Sequence, residues 1–300
     1  MRSRIGAWLA AGLLLLLPAA LLSPGSAGAE PRIVTLGGSI TEIAYALGAG
    51  KQVVAVDTTS RHPAVVEALP KVGYLRTLSA EGILSLRPDV VVGLEEAGPP
   101  QTLVQLRDSG ATLKLVPDHY TADGVIEKIS LVAELFGAGE RGQALAAAVA
   151  SDLAQVRSAL SPVRQRPRVL FLLAASRGSP LAAGSETAAE AMIGLAGAEN
   201  AVSGYKGYKP LSIEAAVAFQ PDAILMMQHS LEALGGPDAV LRLPGIAATP
   251  AGQSRRLIAY DGLYLLGFGP RTAHAIRDLA QALHPRLKLP ELPARDWATP

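Results

Sequence analysis

Two kinds of apolar run alternate along this chain. Short continuous runs stand between glycine, aspartate and proline punctuation, at residues 32–37 (RIVTLG), 52–57 (QVVAVD), 89–94 (DVVVGL), 111–117 (ATLKLVP), 168–174 (RVLFLLA) and 223–228 (AILMMQ). Runs of this length, rich in valine, isoleucine and leucine, read as strands buried on both faces. Between them lie segments with helical spacing, at 39–47, 78–86, 102–110 and 121–136. Ser39-Ile-Thr-Glu42 has the capping-box pattern, which predicts Ser39 as a helix N-cap. Alternating strands and helices predict an α/β fold with mainly parallel sheets.

One segment breaks the alternation. Residues 140–160 are alanine-rich, with no glycine after Gly142 and no proline before Pro162, and predict one long helix. On either side of it a plan repeats. Residues 78–92 read LSAEGILSLRPDVVV and residues 211–225 read LSIEAAVAFQPDAIL. Each has Leu-Ser-x-Glu, a short apolar helix, then Pro-Asp and a strand. The expectation is two Rossmann-like lobes, residues 30–138 and 163–300, joined by a connecting helix at 139–162.

The first 29 residues stand apart. Arg2 and Arg4 precede an apolar stretch over residues 5–22, and Ala27-Gly28-Ala29 fits a small-residue cleavage site. This predicts a signal peptide cleaved near Ala29. Without Arg2 and Arg4 the 27 basic residues come close to balancing the 26 acidic ones, and no long basic block occurs. Nucleic acid is therefore not the expected partner. The chain has no cysteine, so an exported fold would rest on packing rather than disulfides, and a lipid-bearing cysteine is excluded. Export without an anchor favours the periplasm of a two-membrane bacterium.

Few residue patterns suggest chemistry. None of the five histidines forms a close metal pair, and no phosphate loop or nucleophile elbow is present. An enzyme is not expected. Tyr74, in KVGYLRTLSAEG, reads either as a surface loop aromatic or as a phenolate ligand for ferric iron, a hard ion suited to an anionic oxygen. In an extended loop Arg76 would lie on the same side and favour the charged phenolate. Glu81 and Glu214 hold equivalent places in the repeat, each at a helix start where a carboxylate is favoured by the dipole. His229 follows a predicted strand, where a cleft-facing loop is expected.

Five stretches carry a resemblance: residues 53–63, 69–91, 180–215, 243–252 and 261–276, with VGYLR-LSAEG and DGLYLLGFGPR the most specific. They resemble the haem-binding proteins of bacterial haem-uptake ABC transporters. The resemblance implies a monomeric periplasmic protein that holds haem b, its transported ligand, between its lobes. It implies Tyr74 as axial iron ligand supported by Arg76. It also implies Glu81 and Glu214 as docking residues for an inner-membrane permease dimer with its ATPase subunits. Some relatives have a histidine in the stretch matching residues 174–184 and hold two haems. Here that stretch has Arg177, which favours one haem. Arg61 and Arg177 are candidate propionate partners, and His229 a candidate propionate partner or sixth ligand. A siderophore or corrinoid carrier of the same fold is the alternative.

Overall fold

The computed structural model describes residues 30–174 and 179–298. The expected signal peptide and Arg177 lie outside the described residues. From Pro31 on, the described residues form one compact unit.

Its first sheet contains β1 (Ile33–Leu36), β2 (Val53–Val56), β3 (Val90–Leu94) and β4 (Thr112–Val116). All pairs are parallel, in the order β2-β1-β3-β4. Helices α1 (Gly38–Ala46), α2 (Ala80–Leu84), α3 (Pro100–Asp108) and α4 (Ala122–Leu135) connect and cover it. Then comes α5 (Gly139–Leu160), whose Leu145, Val149, Leu153, Val156 and Leu160 are buried at three- and four-residue spacing. Such a stripe faces the core along the whole helix.

The second sheet has β5 (Arg168–Leu173), β6 (Leu181–Ala183), β7 (Glu199–Asn200), β8 (Tyr208–Pro210), β9 (Ala223–Met227) and β10 (Leu257–Tyr260). It is mixed: β9 and β10 run parallel to β5, whereas β5 with β6 and β6 with β8 pair antiparallel. The chain between β5 and β6, residues 174–180, is too short for a parallel crossover, which takes a dozen or more residues. Helices α6 (Ala188–Leu195), α7 (Ile213–Phe219), α8 (Gln228–Ala233), α9 (Pro237–Leu241), α10 (Pro250–Gln253), α11 (Gly262–Leu266) and α12 (Thr272–Leu283) complete the second half.

The sequence repeat is a structural repeat. Ser79 caps α2 by accepting from the Gly82 N–H, and Ser212 caps α7 by accepting from the Ala215 N–H. The N–H of Arg32 donates to Asp89 at 2.8 Å, and that of Arg168 donates to Asp222 at 2.8 Å. Both guanidinium groups then reach back to the end of the short helix, Arg32 to the Leu86 and Arg87 carbonyls and Arg168 to the Phe219 carbonyl. In each half the Pro-Asp pair thus ties the start of a central strand to the helix that precedes its neighbour.

One expectation fails at the first helix. Gly37, with φ of 113°, is the N-cap of α1, and no side chain caps it. Ser39 lies inside the helix and accepts instead from the buried Lys128 ammonium at 3.3 Å. Glu42 is likewise not a capping residue. It is 3% exposed and accepts three hydrogen bonds from Arg271, through its backbone N–H, Nε and Nη2, at 3.1–3.2 Å. The pattern has the right spacing, but a buried cation from the other half of the chain takes the carboxylate.

Glu42–Arg271 therefore bridges the two halves, and one apolar core runs through both, from Ile33 and Val91 to Leu265 and Leu279. Removing one member of a buried pair leaves the other charge without compensation. Glu42→Ala is expected to cost about 3–5 kcal/mol in urea unfolding, Arg271 being left in the seam. A loss under about 1 kcal/mol would show that water already satisfies the guanidinium.

Candidate functional site

The loop from Val72 to Ser79 is held by its backbone. Thr58 N–H donates to the Gly73 carbonyl at 2.9 Å, and Gly98 N–H donates to the Leu75 carbonyl at 2.9 Å. Thr77 N–H closes a turn onto the Tyr74 carbonyl at 2.8 Å. Gly73 has φ of 104°, a conformation that side-chain-bearing residues rarely adopt. Leu75 is 4% exposed and anchors the turn in the core, while Tyr74 is 42% exposed. The segment is a tight turn rather than the extended loop expected, yet it brings the same two side chains together. Arg76 Nη1 donates to the Tyr74 phenol oxygen at 2.5 Å.

Behind this pair lies a set of ionisable groups. Arg76 Nη2 pairs with Glu96, which follows β3. Glu96 also accepts from the Tyr120 hydroxyl at 3.3 Å. Asp118, two positions before Tyr120, feels the Glu96 charge and pairs with Lys128 on α4. Lys128 is fully buried, on the helix face shared by Val125, Ile129 and Val132, and donates to the Phe268 carbonyl at 3.1 Å. Tyr120 packs on Phe268 with ring centroids 5.2 Å apart. The set starts at the Tyr74 phenol and ends on the loop between α11 and α12.

Burial opposes the Arg76 charge, but Glu96 and then Tyr74 outweigh it and hold its pKa above the ordinary guanidinium value. Burial pushes the Lys128 ammonium down, against the pull of Asp118. Burial pushes the Asp118 carboxyl up, and Glu96 adds to that while Lys128 opposes it. Burial, then the Glu96 and Asp118 charges, keep the Tyr120 hydroxyl protonated, as a donor.

Tyr208, on β8 in the second half, faces the same groups. Burial raises the pKa of its phenol, with the Arg76 charge opposing the rise and the Glu96 charge adding to it. Its ring meets Phe171 edge-on at 6.3 Å. A groove of about 590 Å³ adjoins the site, with Asp118 and Tyr120 on one wall and Glu186, Thr187 and Glu190 on the other.

The remaining sequence candidates sit elsewhere. Arg61 is exposed and faces Glu67 at 3.6 Å. His229 is not in a loop but on the first turn of α8, exposed, where a Cβ on Gly262 would lie 3.1 Å from its Cε1. Glu81 and Glu214 are both exposed in the first turns of α2 and α7. The Glu214 carboxyl is held below the usual carboxylate range by its own backbone N–H and by Ser212. Glu96, Asp118, Lys128 and Tyr208 are absent from the sequence-based set. Lys128 had a signal, a lysine on the apolar stripe of its helix. Glu96 had another, an acidic residue just past the carboxyl end of a parallel strand, where ligand sites of open sheets gather.

Comparison with known proteins bears on the fold and family. The periplasmic binding protein family matches residues 33–263. Among solved structures, the periplasmic haem-binding protein RhuT from Roseiflexus sp. RS-1, in apo form, is 45% identical. It superposes with a TM-score of 0.83 over 86% of this chain and 100% of that one. An uncharacterised ABC transporter substrate-binding lipoprotein, YvrC of Bacillus subtilis, is 28% identical over 85% of this chain and 81% of its own length. A vitamin B12-binding protein of Vibrio cholerae is 29% identical over 74% of this chain and 79% of its own.

Proposed function

The chain belongs to the periplasmic binding protein family, and from that premise we propose that it binds ferric haem between its two lobes and delivers it to an ABC permease. The observation that carries this reading is the exposed Tyr74 phenol with the Arg76 guanidinium 2.5 Å from its oxygen. A free phenol ionises near pH 10, so a phenolate at neutral pH needs a partner. Ferric iron supplies most of the stabilisation, and the guanidinium adds to it. The identity to a haem-binding protein, 45%, exceeds that to a vitamin B12 binder, 29%. A corrinoid carrier also has no need of an anionic oxygen backed by a cation.

In the proposed complex Tyr74 loses its proton and binds the iron, Arg76 stays on the phenolate oxygen, and Glu96 balances Arg76. Tyr208 offers aromatic surface to the macrocycle from the other lobe, with the buried Phe171 ring edge-on against it. The acidic lining of the adjoining groove repels carboxylates, so the propionates turn away from it. Arg61 is a candidate partner for one of them once freed from Glu67. A single molecule of haem b is the expected cargo, carried by a monomer in the periplasm after cleavage near Ala29. Glu81 and Glu214, exposed at matching places in the two lobes, present one carboxylate each to the two halves of a permease dimer.

Titration of the purified mature protein with ferric haem tests the central part. The wild type is expected to shift the haem absorption spectrum, and Tyr74→Ala to weaken binding by on the order of 100-fold. No shift with wild type would remove the haem reading, and an unchanged spectrum and affinity in the variant would remove Tyr74 as ligand.

Docking has a separate test. Glu81→Ala and Glu214→Ala should leave haem binding intact and slow haem uptake into vesicles that carry the permease and its ATPase. Full uptake by the double variant would contradict docking through these carboxylates.

A further inference from the structure

We propose that Glu96 is a positioning residue: it holds Arg76 on the Tyr74 phenol and connects that pair to the seam between the lobes. The proposal rests on the haem reading for its consequence, but not for its geometry.

Glu96 meets four groups from three parts of the chain. Its Oε2 pairs with Arg76, and its Oε1 accepts from the Tyr120 hydroxyl. Asp118, two positions before Tyr120, lies within reach of its charge, as does Tyr208 of the second lobe. Arg76 has no other anionic partner among the described residues. An arginine has several rotatable bonds, and ordering it costs much rotamer freedom. An exposed phenol alone would not fix it, whereas a carboxylate behind it leaves Nη1 aimed at the phenol oxygen.

From Glu96 the contacts run on to the seam. Asp118 pairs with Lys128, and Lys128 donates to the Phe268 carbonyl at 3.1 Å and to Ser39 at 3.3 Å. Phe268 has φ of 50°, a left-handed conformation that a phenylalanine holds only where its surroundings impose it. That backbone turns a second-lobe carbonyl onto a first-lobe ammonium. Lys128 is fully buried, so it cannot lose that acceptor to water without rearranging. If the lobes part, Lys128 loses Phe268 and its remaining partners, Asp118 and Ser39, must take up the change. Asp118 is the neighbour of Glu96, and Glu96 holds Arg76. Spreading the lobes at the permease would in this way loosen the support of the iron ligand. Coupling through such a set is a claim about energies, and a double-mutant cycle measures it.

Two measurements test the proposal. In the haem-free protein, the Nη2–H protons of Arg76, which face Glu96, are followed by NMR. A resolved, slowly exchanging signal is expected in the wild type and should be lost in Glu96→Gln. The same signal in both would overturn the hold on Arg76, whatever the protein binds. In the haem-loaded protein, release to excess apomyoglobin is timed for wild type, Glu96→Gln, Lys128→Met and the double variant. Each single change should speed release about tenfold, and Lys128→Met should add little once Glu96 is glutamine. An equal acceleration by Lys128→Met in both backgrounds would overturn the connection through Glu96. Asp118→Asn replaces Lys128→Met in the cycle if the latter does not fold, with the same two readings. Failure of the wild type to take up haem would sink the haem reading and leave the NMR result to decide the hold on Arg76.

Discussion

Arg76 stands between a phenol and a carboxylate, and the site depends on that sandwich. With the phenol alone the guanidinium would be one more solvated surface cation. With the carboxylate alone it would be a surface ion pair of small energetic weight. With both, its charge sits at a fixed distance from the oxygen proposed here to hold iron. The rest of the local structure serves this arrangement. Leu75 anchors the turn, Gly73 supplies a backbone angle other residues resist, and backbone hydrogen bonds close the turn and tie the loop to its neighbours.

The seam between the lobes follows a similar rule. Glu42 with Arg271 and Asp118 with Lys128 place buried charges where the two halves meet. Buried pairs add little net stability over apolar packing, but separating their members is expensive. A seam built this way resists gradual opening and favours one relative position of the lobes. The continuous apolar core and α5, packed against both α4 and α12, act in the same direction. A carrier of this kind would hold its ligand without large lobe closure and would need its transporter to open it.

Much of this was legible in the sequence, for physical reasons that differ by element. Buried parallel strands leave short valine- and leucine-rich runs, and the long helix was marked by alanine and the lack of glycine or proline. The Leu-Ser-x-Glu and Pro-Asp repeat was visible as a pattern of residue types: Ser79 and Ser212 make the local caps it suggests, whereas Asp89 and Asp222 bind the start of an earlier strand more than 50 positions back. Contacts between distant residues were not legible. Glu42 looked like a capping residue because its spacing from Ser39 was right, and only the fold brings Arg271 to it, 229 positions away. Lys128 reaches Phe268 across 140 positions, and Glu96 meets Arg76 across 20. Tyr208 lies on an antiparallel edge strand that the expected parallel alternation did not include. Tyr74 and Arg76 were named on resemblance, with phenolate chemistry making the pairing reasonable. Their contact is a feature of the turn, not of the extended loop the spacing suggested.

The central claim is that Tyr74 binds ferric iron while Arg76 stays on its oxygen. A crystal structure of the haem-loaded protein tests it most directly. The expected result is an iron bonded to the Tyr74 phenolate oxygen, with the Arg76 guanidinium still hydrogen-bonded to that oxygen and Glu96 behind it. Iron held by any other side chain, or a porphyrin bound outside the space between the lobes, would contradict the account.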